Sequence, residues 1–485
     1  MADTRVLVVV FDALRPEFVT PRQMPNLSNF AEKGVRYLNS HSTFPTETRV
    51  NQSAVTTGCM PRRHGIVGNR FIADDLQPGL LVNSGDDAML EAAFAAGPVF
   101  SVPTLGQRLT RAGKSYAALS AGTPGGGRLI NWSAQADGTF RLAMRRPEAC
   151  APSGVFERIV DTIGPLPDYT LPAKAWITWA VTAYLDYVEP QVAPDVMLLW
   201  LCEPDESFHW KGIGSDAAEE TLAHVDAEFG RILEHHAEEI RAGTLQIVAM
   251  SDHGQLSLEG ERLDLPARLG EAGFRASTST MDGADCVVAL ANGGGIWVRD
   301  RDPDLTAQIV EFLQTQDWCG PLFTRDGTGG TLKQEELCVD HARAPDISLA
   351  MAAGDAPNDA GVAGLSLHDA PYPEGGGCHG GLSQWELHNV LVLGGQAFRQ
   401  GIEVHTPAGN IDVLPTVAAL LGLDIPDGID GRVLSEAFAD GPDPDSVTWE
   451  DTMLTSRNSD GARTHLSVSD IGSTRYLNRA WVTSS

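Results

Sequence analysis

Six short apolar runs punctuate the chain, at residues 6–10, 116–119, 196–201, 246–250, 347–350 and 390–393. Most are apolar without alternation, the pattern of strands covered on both faces. Helical patterns follow several of them. Residues 221–241 place Leu222, Val225, Phe229, Ile232 and Leu233 at helical spacing, and residues 411–421 form a second such stretch, ended by Gly422. Strands alternating with helices predict an α/β fold: a doubly wound, mostly parallel sheet with helices on both faces. Residues 123–127 and 371–377 are rich in Gly and Pro and read as loops. No internal repeat is visible.

Polar groups cluster where the apolar runs end. Asp12 follows the first run, Asp205 follows 196–201 within a few residues, and Asp252-His253-Gly254 follows 246–250. In open α/β sheets the ligand crevice lies outside the carboxyl ends of the strands, so three carboxylates distant in sequence are expected at one edge. Each alone is an ordinary turn or cap residue. In Asp205-Glu-Ser-Phe-His209 the i, i+4 spacing turns a carboxylate and an imidazole to one side of a helical turn. His379 sits in a Gly-Gly-Cys-His-Gly-Gly run. Together Asp12, Asp205, His209, Asp252, His253 and His379 supply three carboxylates and three imidazoles. That mix suits two divalent metal ions, zinc first, with manganese, iron or cobalt as alternatives. The hydroxyl-rich segment Thr43-Phe-Pro-Thr-Glu-Thr-Arg-Val-Asn51 leads into a helix. It reads as a helix cap or as the source of a nucleophile, since a helix N-terminus favours both an alkoxide and an incoming phosphate.

Composition narrows the partners. The 485 residues carry 64 acids against 35 bases, a formal net charge of −29. This excess argues against a nucleic-acid polymer or an anionic membrane surface. A small anion stays possible, because two divalent cations outweigh the three carboxylates locally. No apolar run is long enough for a span. Residues 1–5 lack the character of a leader, and the seven cysteines are spread without a CxxC pair. Both point to buried, reduced thiols in a cytoplasmic protein.

Four blocks resemble the alkaline phosphatase superfamily, and within it the nucleotide pyrophosphatase/phosphodiesterase (type I phosphodiesterase) branch. They are Val8-Val-Val-Phe-Asp12; Phe44-Pro-Thr-Glu-Thr48 with Asn51, Val55-Thr-Thr-Gly58, Pro61 and His64-Gly-Ile-Val-Gly-Asn69; Glu203-Pro-Asp-Glu-Ser-Phe-His209 with Ser251-Asp-His-Gly254; and His379-Gly with 390–394 and Asp412-Val-Leu-Pro-Thr416. The resemblance implies an alkaline phosphatase-like core at 1–254 and 379–440, with a wall-forming insertion at about 70–195 that holds Trp132, Trp176, Trp179 and Tyr184. It also implies a smaller inserted α/β subdomain at 255–378 and leaves the tail 441–485 without a counterpart. By the same resemblance Thr48 is the nucleophile, ahead of Thr43 and Thr46, and forms a phospho-threonine. Asn69 donates to a phosphoryl oxygen. One metal is held by Asp12, Thr48, Asp252 and His253, the other by Asp205, His209 and His379. The implied activity is hydrolysis of phosphodiester or phosphoanhydride bonds.

The chain departs from that pattern at one position. Nucleotide-selective members carry an aromatic residue after the nucleophile, where this chain has Arg49. A guanidinium there suits a second phosphate or carboxylate on a small substrate. It keeps open a phosphonate hydrolase, similar to phosphonoacetate hydrolase, or a phosphomonoesterase. Cys59-Met-Pro-Arg-Arg63 imitates a sulfatase motif but follows the Thr57-Gly58 turn instead of preceding it. Arg62, Arg63 and Arg70 are candidates for positive charge at the entrance or for plain surface. Cys378 reads as a small residue in a tight loop, and His235-His236 as the surface end of a helix.

Overall fold

A computed structural model describes residues 4–484. The leader reading of residues 1–5 therefore falls partly outside the described residues. Eight strands form the central sheet: β1 (Arg5–Phe11), β2 (Val35–Tyr37), β3 (Tyr116–Ser120), β4 (Phe140–Ala143), β5 (Val196–Leu201), β6 (Leu245–Met250), β7 (Leu391–Gly394) and β8 (Ile402–Val404). Across the sheet they run β8-β2-β7-β6-β1-β5-β3-β4. Neighbours pair in parallel except at β7, which is antiparallel to both β6 and β2.

The unbroken apolar character of β1 follows from burial on both sides. Leu7, Val9 and Phe11 enter one core and Val6, Val8 and Val10 the other. The helices that cover the sheet are α1 (Pro25–Lys33), α2 (Thr48–Thr57), α3 (Leu105–Arg111), α4 (Pro124–Leu129), α5 (Lys174–Ala183), α6 (Asp205–Lys211), α7 (Asp216–His235) and α8 (Val413–Leu420). Phe30 of α1, Ile177 of α5 and Leu222, Val225 and Phe229 of α7 pack on the first face. Val55 of α2, Leu109 of α3 and Leu414 and Val417 of α8 pack on the second. The fold is thus α/β and doubly wound, as expected.

Three expectations need correction, and two regions gain detail. The run at 347–350 is a strand, Ile347–Met351, but it belongs to a separate six-stranded sheet with Cys286–Leu290, Gly293–Val298 and Cys319–Thr324. Residues 123–127 are not a loop, since Thr123 caps α4 by accepting from the Gly126 N–H. The predicted helix at 221–241 breaks after His235 because His236 turns inward. His236 is fully buried, accepts from the Tyr184 hydroxyl at 2.8 Å and meets Glu239. The stretch 70–195 supplies β3 and β4 to the central sheet, and its Trp176, Trp179 and Tyr184 lie in the core. The tail, left unassigned, forms an antiparallel meander of Glu450–Arg457, Arg463–Ile471 and Thr474–Thr483. Its Leu466, Val468 and Leu477 pack with Phe44, Phe323 and Leu387, so the tail buttresses the segment that precedes α2. Among the described residues no helix is long and apolar enough to cross a membrane.

Candidate active site

Strands β6, β1 and β5 are neighbours and parallel, so their carboxyl ends open at one edge. Asp252 and His253 follow β6, Asp12 follows β1, and Asp205 opens α6 just beyond β5. The turn after β1 ties two of these together, as the Asp205 N–H donates to the Asp12 carbonyl at 3.1 Å. His379 arrives from a distant part of the chain. Leu256 and Ser257 pair antiparallel with Cys378 and Gly377, which brings His379 beside His253 with their rings stacked at 3.9 Å.

Two buried groups result: Asp12, Asp252 and His253, and Asp205, His209 and His379. Within each, the ligand atoms lie within 4.8 Å of one another. In the first, His253 Nε2 is 3.2 Å from Asp252 Oδ2 and 3.7 Å from Asp12 Oδ1. In the second, Asp205 Oδ1 is 3.2 Å from His209 Nε2 and 3.4 Å from His379 Nε2. All three imidazoles are oriented alike. Nδ1 donates to a backbone carbonyl, Gly377 for His209 at 2.7 Å, Gly254 for His253 at 3.0 Å and Thr46 for His379 at 2.7 Å. This leaves each Nε2 lone pair facing the centre, the arrangement that metal-binding histidines use.

The carboxylates are held in the same way. Trp200 Nε1 donates to Asp12 Oδ2 at 3.0 Å, the N–H groups of Ala13 and His253 donate to Asp252 Oδ1 at 3.1 and 3.0 Å, and Gln255 Nε2 donates to Asp205 Oδ1 at 2.9 Å. Asp12 Oδ1 and Asp252 Oδ2 are buried and have no hydrogen-bond partner. Burial, then Asp252 and Asp205, pushes the Asp12 carboxyl well above its ordinary range, and burial also raises Asp252. Burial also works to raise Asp205, but His209 and the other two imidazoles outweigh it and hold that carboxyl below its usual range. Burial, then the neighbouring His253, lowers the His379 imidazole well below its ordinary range. Three carboxylates packed together, two of them with orphaned oxygens, form a set that divalent cations would satisfy.

Of the three candidate hydroxyls, only that of Thr48 reaches these groups, with Oγ1 3.3 Å from His253 Nε2 at the first turn of α2. Thr46 Oγ1 donates to Gly381 O and accepts from Gly380 N–H, while Thr43 Oγ1 donates to Asn51. Both are structural. Asn69 lies beside the start of α2. Its Oδ1 accepts from the Arg49 N–H at 3.2 Å and its own N–H donates to the Glu47 carboxylate. The Arg49 guanidinium lies beside Gly85, within the electrostatic reach of Glu47, Tyr372, Asp12 and Asp205.

Other candidates fall outside the site. Arg62 and Arg63 both pair with Asp430, at 2.8 and 3.0 Å, and Arg70 reaches the Leu290 carbonyl. Cys59 is fully buried and its thiol is pushed up to about 11 by burial, which unsuits it as a nucleophile. Cys378 directs its thiol at the His379 carbonyl and stays among Leu258 and Ala370. All seven cysteines are free, six of them buried.

Several residues had no assigned role in the sequence. Glu47 stood inside a quoted motif, and Gln255 two residues past His253, but neither type is diagnostic. Tyr372 lies in a Gly/Pro-rich loop and carries no motif, yet its ring stacks on His209 at 3.8 Å, with Trp210 edge-on to it at 5.3 Å.

The description "type I phosphodiesterase / nucleotide pyrophosphatase" belongs to the family model that matches residues 6–314 of the 485. Venom phosphodiesterase CdcPDE of Crotalus durissus collilineatus is 24% identical over 247 residues, 50% of this chain and 25% of that protein. Ectonucleotide pyrophosphatase/phosphodiesterase family member 3 of Mus musculus is 21% identical over 261 residues, 53% of this chain and 26% of that protein. The chain thus spans about a quarter of the length of these curated relatives. Among solved structures, human ectonucleotide pyrophosphatase/phosphodiesterase 5 aligns with a TM-score of 0.60 at 15% identity, covering 90% of this chain and 100% of that one. An inactive form of the murine protein in complex with AMP aligns with a TM-score of 0.57 at 15% identity, covering 87% and 96%. At that identity the likeness speaks for the fold, while the family match runs through Asp12, Thr48, Asn69, Asp205, His209, Asp252 and His253 over more than half of the chain. The chain belongs to the type I phosphodiesterase/nucleotide pyrophosphatase family.

Proposed function

We propose that this protein hydrolyses phosphodiester or phosphoanhydride bonds of small phosphate esters through a covalent phospho-threonine on Thr48. The observation that carries the reading is the Thr48 hydroxyl, placed at a helix N-terminus 3.3 Å from His253 Nε2 and beside two buried ligand groups. Three carboxylates and three imidazoles suit zinc, with manganese, iron or cobalt as alternatives. Asp12, Thr48, Asp252 and His253 would hold one ion, and Asp205, His209 and His379 the other. When bound, two such ions lower the pKa of a coordinated hydroxyl and neutralise charge on the attacking and leaving oxygens.

The chain's own residues do the rest. The first turn of α2 directs unpaired N–H groups and its positive dipole end at the incoming phosphate. Thr48 Oγ1 attacks phosphorus in line with the leaving oxygen, and a bond from oxygen to phosphorus replaces the scissile one. With its Oδ1 occupied by the Arg49 N–H, Asn69 has Nδ2 free to donate to a non-bridging oxygen as charge builds there. Water then cleaves the Thr48 ester, returning the hydroxyl and releasing the phosphoryl product. The family membership and the AMP complex of the murine relative support a small phosphate ester as substrate.

Chelation tests the reading. EDTA treatment should abolish hydrolysis of bis(4-nitrophenyl) phosphate, and zinc or manganese should restore it. Thr48→Ala should lose turnover by about 10³-fold or more while retaining both metals by elemental analysis. Full activity in the metal-free protein, or in Thr48→Ala, would sink the proposal.

A further inference from the structure

We infer that Arg49 makes this site selective for substrates that carry a second anionic group, a carboxylate or a second phosphoryl, close to the phosphorus attacked. The inference rests on the hydrolytic reading of Thr48 above and names the substrate class for it.

The argument begins with a charge that the protein itself does not satisfy. Arg49 follows Thr48 in the first turn of α2, and its side chain is half-buried at the same edge of the sheet. Nε is buried and has no hydrogen-bond partner. The titratable groups whose charge reaches the guanidinium are Glu47, Tyr372, Asp12 and Asp205. Each carboxylate is engaged elsewhere, and among the described residues none forms an ion pair with Arg49. Glu47 already accepts the Asn69 N–H, Asp12 accepts from Trp200, and Asp205 accepts from Gln255 and sits between His209 and His379. Tyr372 is a phenol with its ring fixed on His209.

A buried donor left without an acceptor costs on the order of 1–3 kcal/mol, and more when it is charged. Such a group is retained where a ligand completes it. Several other arginines of the chain do pair with carboxylates. Arg62 and Arg63 share Asp430, Arg128 pairs with Asp87, Arg145 with Glu206, Arg343 with Asp75 and Arg432 with Glu436.

The surroundings give the recess a shape. Gly85 closes one side of the Arg49 fork. A Cβ there would stand 3.5 Å from Cζ and Nη2, so the glycine sits close beside the guanidinium. Tyr372, whose phenol lies within electrostatic reach of Arg49, stacks on His209 and meets the exposed indole of Trp210 edge-on. The open edge is a planar donor fork, the partner of a carboxylate or a phosphoryl group, which it binds in bidentate fashion. Because Arg49 directly follows Thr48 at the start of α2, the second anion is expected on the same small substrate as the reacting phosphorus.

Competitive inhibition of the metal-loaded enzyme tests this, with bis(4-nitrophenyl) phosphate as reporter and free metal held constant by a buffer. The probes are methylphosphonate, which lacks a second anion, phosphonoacetate, which adds a carboxylate, and methylenediphosphonate, which adds a phosphoryl group. Wild type should bind at least one of the two-anion probes about 10- to 100-fold more tightly than methylphosphonate. Which probe gains more tells carboxylate from phosphoryl. Arg49→Ala should erase that ratio, and Arg49→Lys, a point charge without the fork, should restore only part of it. Equal weakening of all three probes in Arg49→Ala, or a ratio near one in wild type, overturns the inference. The hydrolytic reading fails separately, through an active Thr48→Ala enzyme, whatever the inhibition ratios are.

Discussion

Asn69 shows how one side chain acquires a single useful orientation. Its Oδ1 is occupied by the Arg49 N–H, and its own N–H is fixed by the Glu47 carboxylate, so the amide nitrogen is the free end. Asn69→Asp keeps the acceptor and removes the donor. The expected result is a fall in kcat of about 10²- to 10³-fold with both metals retained, read by steady-state kinetics and elemental analysis. Glu47 acts one step further out, as a positioning residue. Glu47→Gln retains a carbonyl that accepts the Asn69 N–H, whereas Glu47→Ala leaves that N–H unpaired. Alanine should therefore cost about tenfold or more in kcat, and glutamine should recover most of it, with KM nearly unchanged in both. Equal losses in the two variants would mean that the carboxylate charge, not the hydrogen bond, is what matters.

Among the elements, the glycine-rich α4 is the clearest case of packing overruling propensity. Three consecutive glycines, Gly125, Gly126 and Gly127, cost a helix about 1 kcal/mol each, which is why the sequence reads as a loop. The fold requires them. A Cβ on Gly125 would fall on the Ser84 carbonyl, on Gly126 it would stand 2.9 Å from Gln52 Oε1, and on Gly127 2.8 Å from the Ala143 Cβ. Gly125→Ala should thus destabilise by about 1–3 kcal/mol in urea unfolding, although helix propensity alone gives the opposite sign. Strands β1, β5 and β6 were legible because each is a short, doubly buried apolar run that ends in a functional carboxylate. The reach of His379 was not, because it depends on the pairing of Leu256 with Cys378 across the whole inserted segment. Neither was the sheet to which Ile347–Met351 belongs, since apolar content reports burial and not partners. The meander at Glu450–Arg457 has a solvent-facing first strand, and its polar sequence hides it.

For the whole molecule, acidification sets opposing effects against each other. Losing part of the −29 charge relieves self-repulsion. Burial also pushes the Glu386 carboxyl up to about 7, so the folded state holds that proton more tightly than the unfolded chain does. Its contribution falls as pH rises from about 4.5 to about 7. Buried imidazoles act the other way. Burial, with His341 adding to it, lowers His64 to about 3, and its Nδ1 accepts the Ile66 N–H at 3.1 Å, a bond only the neutral ring can make. The unfolded chain takes up this proton near pH 6.5 and the folded chain does not, so stability is intact above 6.5 and is lost progressively as pH falls toward 3. His41, lowered to about 3 by burial and by His388, adds in the same direction. Because these terms overlap between pH 4.5 and 6.5, the wild-type profile alone does not isolate them, and a difference does. His64→Asn preserves an acceptor at the position of Nδ1 and cannot titrate. Relative to wild type, the variant should gain stability on going from pH 8 to pH 5 by roughly 2 kcal/mol, the energy of a titration held off for about 1.5 pH units. Paired urea titrations at the two pH values measure it, and an unchanged difference between variant and wild type would show that His64 charges in the folded protein.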